Sequence, residues 1–291
     1  MTNETESPTL RLAVPKGRMQ EGVVHLLAEA GVQLVSSARS YRPSISLPRC
    51  EVKVLKPQSV VEMLHMGSRD LGFTGKDWVA ELDGDLVQLL DTGLDPVRLV
   101  AAVPRQLLSA GIESRPGLIV ASEYERLTRR WIEHRGLEAR FLRSYGATEV
   151  LPPEDADVII DNTATGSTLE ANGLEIVDEV MSSSTCLFAS PEALQEPLKK
   201  QRIEDFVLLL SSVLEARRRV MVEVNVDESR LAGILEALPC MREPTISQLA
   251  GGHGFAVKAA VLRTELPEVV PRVKALGGTD VVVTHLGQIV P

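Results

Sequence analysis

The chain is short of aromatic residues, cysteine, positive charge and long hydrophobic runs, and each shortage excludes a class of protein. Aromatic residues make up 3% of the 291 positions, and 31 Lys and Arg stand against 40 Asp and Glu, a formal net charge of −9. Nucleic-acid-binding proteins need a basic surface to neutralise phosphates, and those that bind single strands need rings for stacking. The composition therefore argues against a nucleic-acid partner.

The three cysteines, Cys50, Cys186 and Cys240, are too few and too widely spaced for a disulfide framework or a zinc site. The first eight residues, MTNETESP, lack the basic segment and apolar run of a secretory signal. No apolar stretch approaches the ~20 residues needed to cross a bilayer. We therefore expect a cytoplasmic protein in a reducing compartment, without a membrane partner.

What the chain does have is a regular alternation of short apolar runs and helix-like stretches over its first two hundred residues. Apolar runs at 10–14, 51–55 and 71–74 alternate with helical patterns at 19–30 and 57–66. Such alternation predicts an α/β fold with a largely parallel sheet and helices on both faces. Further strands are predicted at 97–103, 118–121, 138–142, 158–161, 175–181 and 185–189, and further helices at 123–134 and 191–217.

A composition change over 105–117, rich in Gly, Pro, Ser and charge, divides this region into two lobes. We predict a first lobe at 1–104, completed by about 182–217 when the chain returns, and a second lobe at 105–181. Two α/β lobes linked by crossing strands place a cleft between them, and such clefts bind ligands.

The last part of the chain, 218–291, has a different rhythm. Its pattern reads βαββαβ, the ferredoxin-like order, with strands at 220–226, 245–249, 255–262 and 280–284 and helices at 228–238 and 266–276. No catalytic constellation is visible in it. We interpret this module as a ligand sensor or an assembly domain.

The clearest chemical signature lies between Asp157 and Leu169, where an apolar strand ends at Asp161 and small hydroxyl residues surround a glycine. Gly166 would let the backbone approach a phosphate, while amides and hydroxyls of 165–168 donate hydrogen bonds. Asp161 would accept hydrogen bonds from sugar hydroxyls or help to hold magnesium. These residues indicate a ribose 5-phosphate site, and the alternative that they also allow is a helix capped by Thr and Ser after a strand.

Three segments of the first lobe have a composition that suits further phosphates. They are 14–18, 72–77 and 91–93, each with glycine beside Lys, Arg or hydroxyl residues, and each is expected at a strand end that faces the cleft. A substrate with several phosphates would explain all three. Their candidate ligands for ATP or pyrophosphate are Lys16, Gly17, Arg18, Thr74, Gly75, Asp91 and Gly93.

Taken together, these segments resemble the ATP phosphoribosyltransferase family in its long form. The motifs that carry the resemblance are PKGR at 15–18, DLGFTGKD at 70–77, LLDTGL at 89–94, GATE at 146–149, DNTATGSTLEANGL at 161–174 and EPTISQL at 243–249. Two details depart from the family pattern. Asn162 stands where an aliphatic residue is usual, and the spacing from Glu149 to Asp157 is one residue shorter.

The resemblance implies a two-lobed catalytic fold like that of periplasmic binding proteins, a type IV phosphoribosyltransferase, followed by an ACT-like regulatory domain. It implies transfer of the 5-phosphoribosyl group from phosphoribosyl pyrophosphate (PRPP) to N1 of ATP, giving phosphoribosyl-ATP and pyrophosphate. It also implies Mg²⁺ held mainly by substrate phosphates, inhibition by histidine, and a homo-oligomer that exchanges between dimers and hexamers.

The same resemblance assigns roles to residues of this chain. Asp161, Lys16 and Glu149 would be catalytic: the carboxylates would hold ribose hydroxyls, and Lys16 with Arg18 would offset phosphate charge. No general base is expected, because adenine N1 carries no proton to remove. PRPP would be bound by Asp161, Thr165, Gly166, Ser167 and Thr168, and the effector by Asn225, Thr245 and Ser247.

Two other functions stay open on the sequence alone. One is a solute-binding protein with an appended amino-acid-sensing domain, which the two lobes would suit. The other is a paralogue that binds histidine without catalysing a reaction. Conversion of ATP and PRPP to phosphoribosyl-ATP would separate the enzyme from both.

Overall fold

The computed structural model describes residues 8–35, 41–108, 111–112 and 115–290, and the chain forms two compact units. The first unit comprises residues up to 28 together with 32–204, and the second comprises 29–31 and 205 onward. Most of the N-terminal MTNETESP segment and part of the predicted division at 105–117 lie outside the described residues. No helix of the described ranges is long and apolar enough to span a membrane.

The first unit contains the predicted alternation of strands and helices. Its strands are β1 (Leu10–Pro15), β2 (Leu34–Val35), β3 (Ser44–Ile45), β4 (Cys50–Leu55), β5 (Leu71–Gly75), β6 (Val87–Pro104), β7 (Leu118–Ser122), β8 (Ala139–Arg143), β9 (Val158–Thr163) and β10 (Leu174–Ala189). Its helices are α1 (Arg18–Glu29), α2 (Pro57–His65), α3 (Lys76–Leu82), α4 (Arg105–Leu108), α5 (Glu125–His134), α6 (Ser167–Ala171), α7 (Pro191–Gln195) and the first part of α8 (Pro197–Arg218).

One eight-stranded sheet, in the order β4-β1-β5-β10-β6-β9-β7-β8, runs through both lobes. Strands β4, β1 and β5 are parallel in the first lobe, and β9, β7 and β8 are parallel in the second. Between them β6 and β10 pair antiparallel from Val87–Ala189 to Pro104–Leu174. These two long strands connect the lobes, and β6 ends at Pro104, directly before the predicted division at 105–117.

The strand registers set the two lobes face to face. The last residue of β5, Gly75, pairs with Thr185, which pairs with Leu94 of β6. The last residue of β9, Thr163, pairs with Arg98 of β6 from the opposite direction. Leu94 and Arg98 are four residues apart on one strand, or about 13 Å. The carboxyl ends of the two sets of strands therefore face each other along β6.

Three other predicted elements differ from the structure for local reasons. The strand predicted at 97–103 begins ten residues earlier, at Val87, and the two strands predicted at 175–181 and 185–189 form one strand with register shifts. The helix predicted at 191–217 breaks at Glu196, which has an extended backbone (φ −86°, ψ 111°). Pro197 follows directly, and its ring disfavours the helical region for the residue before it.

The second unit is an antiparallel four-stranded sheet with helices on one face, in the predicted βαββαβ order. Its strands are β11 (Arg219–Val226), β12 (Thr245–Gln248), β13 (Phe255–Leu262) and β14 (Thr279–His285), and its helices are α9 (Leu231–Ala237) and α10 (Leu266–Ala275). The strand order is β12-β13-β11-β14. Alternate valines such as Val222 and Val224 are buried against Ile234 of α9 and Val273 of α10. The intervening polar residues consequently lie on the other, open face.

Candidate active site

The predicted anion loop connects β9 to α6 and is open to solvent. Gly166 has a left-handed backbone (φ +86°), and its amide donates to the Thr163 hydroxyl at 2.9 Å, which closes the turn. The hydroxyl oxygens of Thr165 and Ser167 lie 2.9 Å apart, and both side chains are exposed. The first amides of α6 have no partner within the helix. With only five residues, α6 adds little dipole, so an anion at this loop would depend on the amides and hydroxyls themselves.

Asp161 precedes this loop and is half buried. Its Oδ1 accepts from the backbone amide of Asn162 at 2.7 Å, and the Thr148 hydroxyl donates to the same carboxylate. Burial, together with the charges of Glu149 and Glu123, nevertheless raises the pKa of Asp161 to about 6. Glu149 therefore lies near Asp161, as the assignment of both carboxylates to one ribose requires. Thr148 lies in the GATE segment but was not among the candidate site residues, and its hydroxyl also contacts Ser144 at 2.8 Å.

The first-lobe segment after β1 carries exposed basic groups. Gly17 has a left-handed backbone (φ +88°), so the chain turns there from β1 into α1. The Lys16 ammonium lies 3.0 Å from the Tyr41 hydroxyl and 4.9 Å from the centre of its ring. Lys16 and Arg18 are both exposed at the carboxyl end of β1, the edge that faces the second lobe.

The structure brings the other two first-lobe segments together through an ion pair. Lys76, at the start of α3, lies 2.6 Å from Asp91 of β6. The other oxygen of Asp91 accepts from the Ser184 hydroxyl at 2.7 Å and from the Gly93 amide at 3.0 Å. Burial opposes ionisation here, but these hydrogen bonds win and lower the pKa of Asp91 to about 2. Asp91 thus organises Gly93 and Lys76, a cation that was not among the candidate ligands.

Thr74 and Gly75 take positions in the interior of the protein. Thr74 is fully buried, and its hydroxyl donates to the carbonyl oxygen of Pro57 at 3.1 Å. Gly75 is also buried, and a side chain there would collide with Asp77. Both residues shape the turn from β5 into α3, and the Thr74 hydroxyl is engaged within the protein. The segment 91–93 lies inside β6 and does not follow a strand end.

The three candidate effector residues share the open face of the second unit. Asn225 and Ser247 both pair with Ala256 of β13, and Thr245 pairs with Lys258 two residues further along. The Asn225 amide donates to Asp280 at 3.1 Å. Thr245 also lines a cavity of about 220 Å³ beside Met241 and Lys258.

The described residues offer few ligands that could bind a metal ion without the help of a substrate. Within the ranges that the structure describes, no three His, Cys, Asp or Glu side chains come together in a way that could hold a metal ion. Asp161 and Glu149 offer the oxygen ligands that Mg²⁺ prefers, and Mg²⁺ is commonly held by one or two carboxylates plus substrate phosphates. The donor set fits a magnesium ion that arrives with a phosphorylated substrate.

Comparisons with known proteins give one consistent result. The family model described as ATP phosphoribosyltransferase matches residues 56–212, and that described as HisG, C-terminal domain matches residues 216–288. The curated ATP phosphoribosyltransferase of Pelotomaculum thermopropionicum is 35% identical over 97% of this chain and 99% of its own. That of Chlorobium chlorochromatii is 32% identical over the full length of both chains.

A solved structure agrees over the first unit. A chain of the ATP phosphoribosyl transferase (HisG:HisZ) complex from Thermotoga maritima superposes with a TM-score of 0.64 and 29% identity. The match covers 71% of this chain and 99% of the other. The solved chain has no counterpart for the rest of this chain. The curated relatives named above match nearly its full length.

Proposed function

The chain belongs to the ATP phosphoribosyltransferase family, and on that premise we propose that the loop 163–168 binds the 5-phosphate of PRPP. The protein catalyses the first step of histidine biosynthesis, in which the 5-phosphoribosyl group of PRPP is transferred to N1 of ATP. Its first unit has the two-lobed α/β architecture that the resemblance implies. Relatives with this name match nearly the whole chain, which argues against the alternative of a solute-binding protein.

The open loop after β9 carries the proposal. A phosphate seated over Gly166 would receive hydrogen bonds from the amides of 167–169 and from the hydroxyls of Thr165, Ser167 and Thr168. Thr165, Ser167 and Thr168 are exposed, and among the described residues a Cβ at Gly166 would meet only Ile176, at 3.5 Å. Fixing the phosphate at one end of PRPP would orient the anomeric carbon toward the first lobe. Such orientation of a bound substrate supplies much of its rate advantage.

Asp161 and Glu149 are placed to hold the ribose hydroxyls. Bond breaking at the anomeric carbon leaves positive charge on the ribose, and carboxylates near the ring stabilise it. Asp161 needs to be ionised for this role, and its pKa of about 6 leaves it ionised at neutral pH. The Thr148 hydroxyl and the Asn162 amide, which hydrogen bond the carboxylate, would fix its direction.

The opposite edge of the cleft carries the positive charge that the departing pyrophosphate requires. We assign Lys16, Arg18 and Lys76 to the pyrophosphate or to the phosphates of ATP. When Mg²⁺ is bound with the substrates, it neutralises part of the phosphate charge. Nucleophilic attack by N1 releases no proton from adenine, which agrees with the lack of a general base at this edge.

We also propose that the second unit mediates inhibition by histidine, with Asn225, Thr245 and Ser247 on its open face as the starting point for mapping the pocket. The polar row across β11, β13 and β12 supports this assignment, since an amino acid needs several hydrogen-bond partners close together. Assembly into dimers and hexamers stays a prediction from the family resemblance, and location in the cytoplasm stays a prediction from the sequence. A paralogue that senses histidine without turnover would bind histidine and form no phosphoribosyl-ATP.

Steady-state kinetics of Asp161→Asn tests the assignment of the PRPP site. The variant keeps the shape of the side chain but loses its charge, so we expect the KM for PRPP to rise by at least about tenfold with little change in the KM for ATP. Asp155→Asn removes an exposed carboxylate six residues away and is the matched control. Equal effects of Asp161→Asn on the two substrates would place the ribose elsewhere.

A further inference from the structure

A chain of buried hydrogen bonds joins the second lobe to the first behind the cleft. The Asn162 amide nitrogen donates to the Tyr124 hydroxyl at 2.9 Å, and this hydroxyl donates to Asp77 Oδ2 at 2.7 Å. Tyr124 is fully buried and Asp77 is 2% exposed. The ring of Trp78 stacks on Tyr124 with centroids 4.5 Å apart, so the hydroxyl has one orientation available to it.

Each donor and acceptor in the chain has a defined direction. The Tyr124 hydroxyl accepts one hydrogen bond and donates another, and Asp77 Oδ1 accepts from the Ser183 hydroxyl at 2.6 Å. Burial and the neighbouring carboxylate of Asp77 raise the pKa of Tyr124 far above its usual range, so the hydroxyl keeps its proton. Removing one member would leave a buried polar group without a partner, which has a larger effect than loss of a solvent-exposed hydrogen bond.

At the second-lobe end, Asn162 stands between the two residues that shape the PRPP site. Its backbone amide donates to Asp161, and the next residue, Thr163, accepts the hydrogen bond from Gly166 that closes the anion loop. Successive side chains of a strand point to opposite faces, so Asp161 and Asn162 point away from each other. The hydrogen bond between the Asn162 side chain and the Tyr124 hydroxyl therefore also fixes the end of β9, from which Asp161 projects to the other face.

At the first-lobe end, Asp77 follows directly on Lys76, whose ammonium is held by Asp91. The Asp77 amide also donates to the Ser183 hydroxyl of the crossing strand β10 at 3.1 Å. The hydrogen-bond chain thus connects the strand end that carries Asp161 with the helix start that carries Lys76. These are the two edges that must hold one PRPP molecule between them.

We propose that Asn162 is a positioning residue for the phosphoribosyl transfer: through the Tyr124 hydroxyl and Asp77 it holds Asp161 and the anion loop in register with the opposite edge of the cleft. This inference rests on the proposed role of Asp161 in binding PRPP. Asn162 touches neither substrate. It acts on the KM for PRPP through the residues on either side of it.

The test compares Asn162→Leu, which is nearly the same size but cannot donate, with Tyr124→Phe, which lacks the hydroxyl. We expect each to raise the KM for PRPP by about five- to tenfold and to leave the KM for ATP within about twofold, as for loss of one oriented hydrogen bond. Both variants break the same chain of hydrogen bonds, so their effects should not multiply. The rise in the KM for PRPP in the double variant should be smaller than the product of the two single effects by a factor of about three or more.

A control separates positioning from general loss of stability. Ser68→Ala removes a partly buried hydrogen bond to Met63 in the first lobe, and we expect it to lower the melting temperature with both KM values unchanged. If Asn162→Leu does not fold, Tyr124→Phe carries the test alone.

The outcomes distinguish this inference from the proposed site. Unchanged KM values for PRPP in Asn162→Leu and Tyr124→Phe, with a raised value in Asp161→Asn, would overturn the positioning role and leave the site assignment intact. An unchanged value in Asp161→Asn would overturn the site assignment and this inference with it.

Discussion

Lys76 and Asp91 form an ion pair of 2.6 Å between the start of α3 and the crossing strand β6. Asp91 also holds the Ser184 hydroxyl and the Gly93 amide, and the pair raises the pKa of Lys76. A cation paired with a carboxylate that two further donors hold in place is better positioned to meet a pyrophosphate than one on a free side chain. The ion pair therefore connects the LLDTGL motif, which contains Asp91, with a lysine that we assign to the pyrophosphate or to the phosphates of ATP.

Asp91→Asn tests that link. The amide loses the charge that holds Lys76, so we expect the inhibition constant for the product pyrophosphate to rise by about three- to tenfold. Because the pair is partly exposed, the free energy of unfolding should change by less than about 1 kcal/mol. Glu125→Gln, which breaks an exposed pair with Arg129 and Arg143, is the control, and an equal effect on pyrophosphate binding in both variants would contradict the role of Asp91.

The pKa of Asp161 predicts an acid limb in the pH dependence of catalysis. Burial and the charges of Glu149 and Glu123 raise this pKa to about 6, so the carboxyl group becomes protonated as the pH falls through that value. A protonated carboxyl accepts ribose hydroxyls poorly, and kcat/KM for PRPP should fall about tenfold for each pH unit below about 6. Substrate phosphates also titrate near pH 6. The comparison is therefore with Asp161→Asn, whose profile should keep only the limb of the substrate, and identical profiles would contradict the prediction.

Asp70 is a structural carboxylate whose removal should affect stability and not substrate binding. It is 1% exposed and accepts from Arg11 Nη2 at 2.7 Å and Nε at 3.0 Å, with Lys199 at 3.3 Å. Asp70→Asn leaves these cations without their carboxylate, and we expect a loss of roughly 3 kcal/mol in the free energy of unfolding, measured with urea. Both KM values should stay unchanged.

The pH dependence of that loss follows from the sign of the shift. Burial opposes ionisation of Asp70, but the hydrogen bonds from Arg11 prevail and lower its pKa in the folded protein. The stabilisation is therefore complete above the unfolded pKa of about 3.9 and is lost as the pH falls through the lower folded value. The difference between wild type and Asp70→Asn should shrink only at such acid pH, and a difference that already vanishes at pH 6 would contradict this account.

The periodicity of apolar residues was sufficient to predict most elements because several strands, such as β1, β5 and β7, are short buried runs. It predicted the start of β9 at residue 158, and the strand continues two residues past Asp161 to Thr163 before the loop with Gly166. It could not predict that β6 begins at Val87, because Asp91 and Gly93 look like a turn. Only pairing with β10, almost a hundred residues away, makes that segment a strand.

Contacts between distant segments also explain the site residues that the sequence did not reveal. The ion pair with Asp91 orients Lys76, and the hydrogen bond to the carboxylate of Asp161 orients Thr148. Thr74 looks like a ligand beside Gly75, but the carbonyl of Pro57 takes its hydroxyl. A sequence motif identifies residues that suit a phosphate, and the fold decides which of them point toward it.

Gly166→Val tests the shape of the anion loop. Valine is strained at φ +86°, and a side chain there would occupy the space above the loop, although its Cβ would meet only Ile176 at an ordinary 3.5 Å. We expect the KM for PRPP to rise by more than about tenfold and that for ATP by less than about twofold. Gly136→Val imposes similar strain at φ +62° after α5, with open space around it, and is the matched control. If that variant has the same effect on PRPP, strain alone explains the result.

A crystal structure with PRPP and Mg²⁺ bound tests the central claim most directly. The account predicts the 5-phosphate over Gly166, within hydrogen-bond distance of the amides and hydroxyls of 165–168, with Asp161 against the ribose hydroxyls. A 5-phosphate bound at any other part of the catalytic unit, with the loop 163–168 left to solvent, would contradict it.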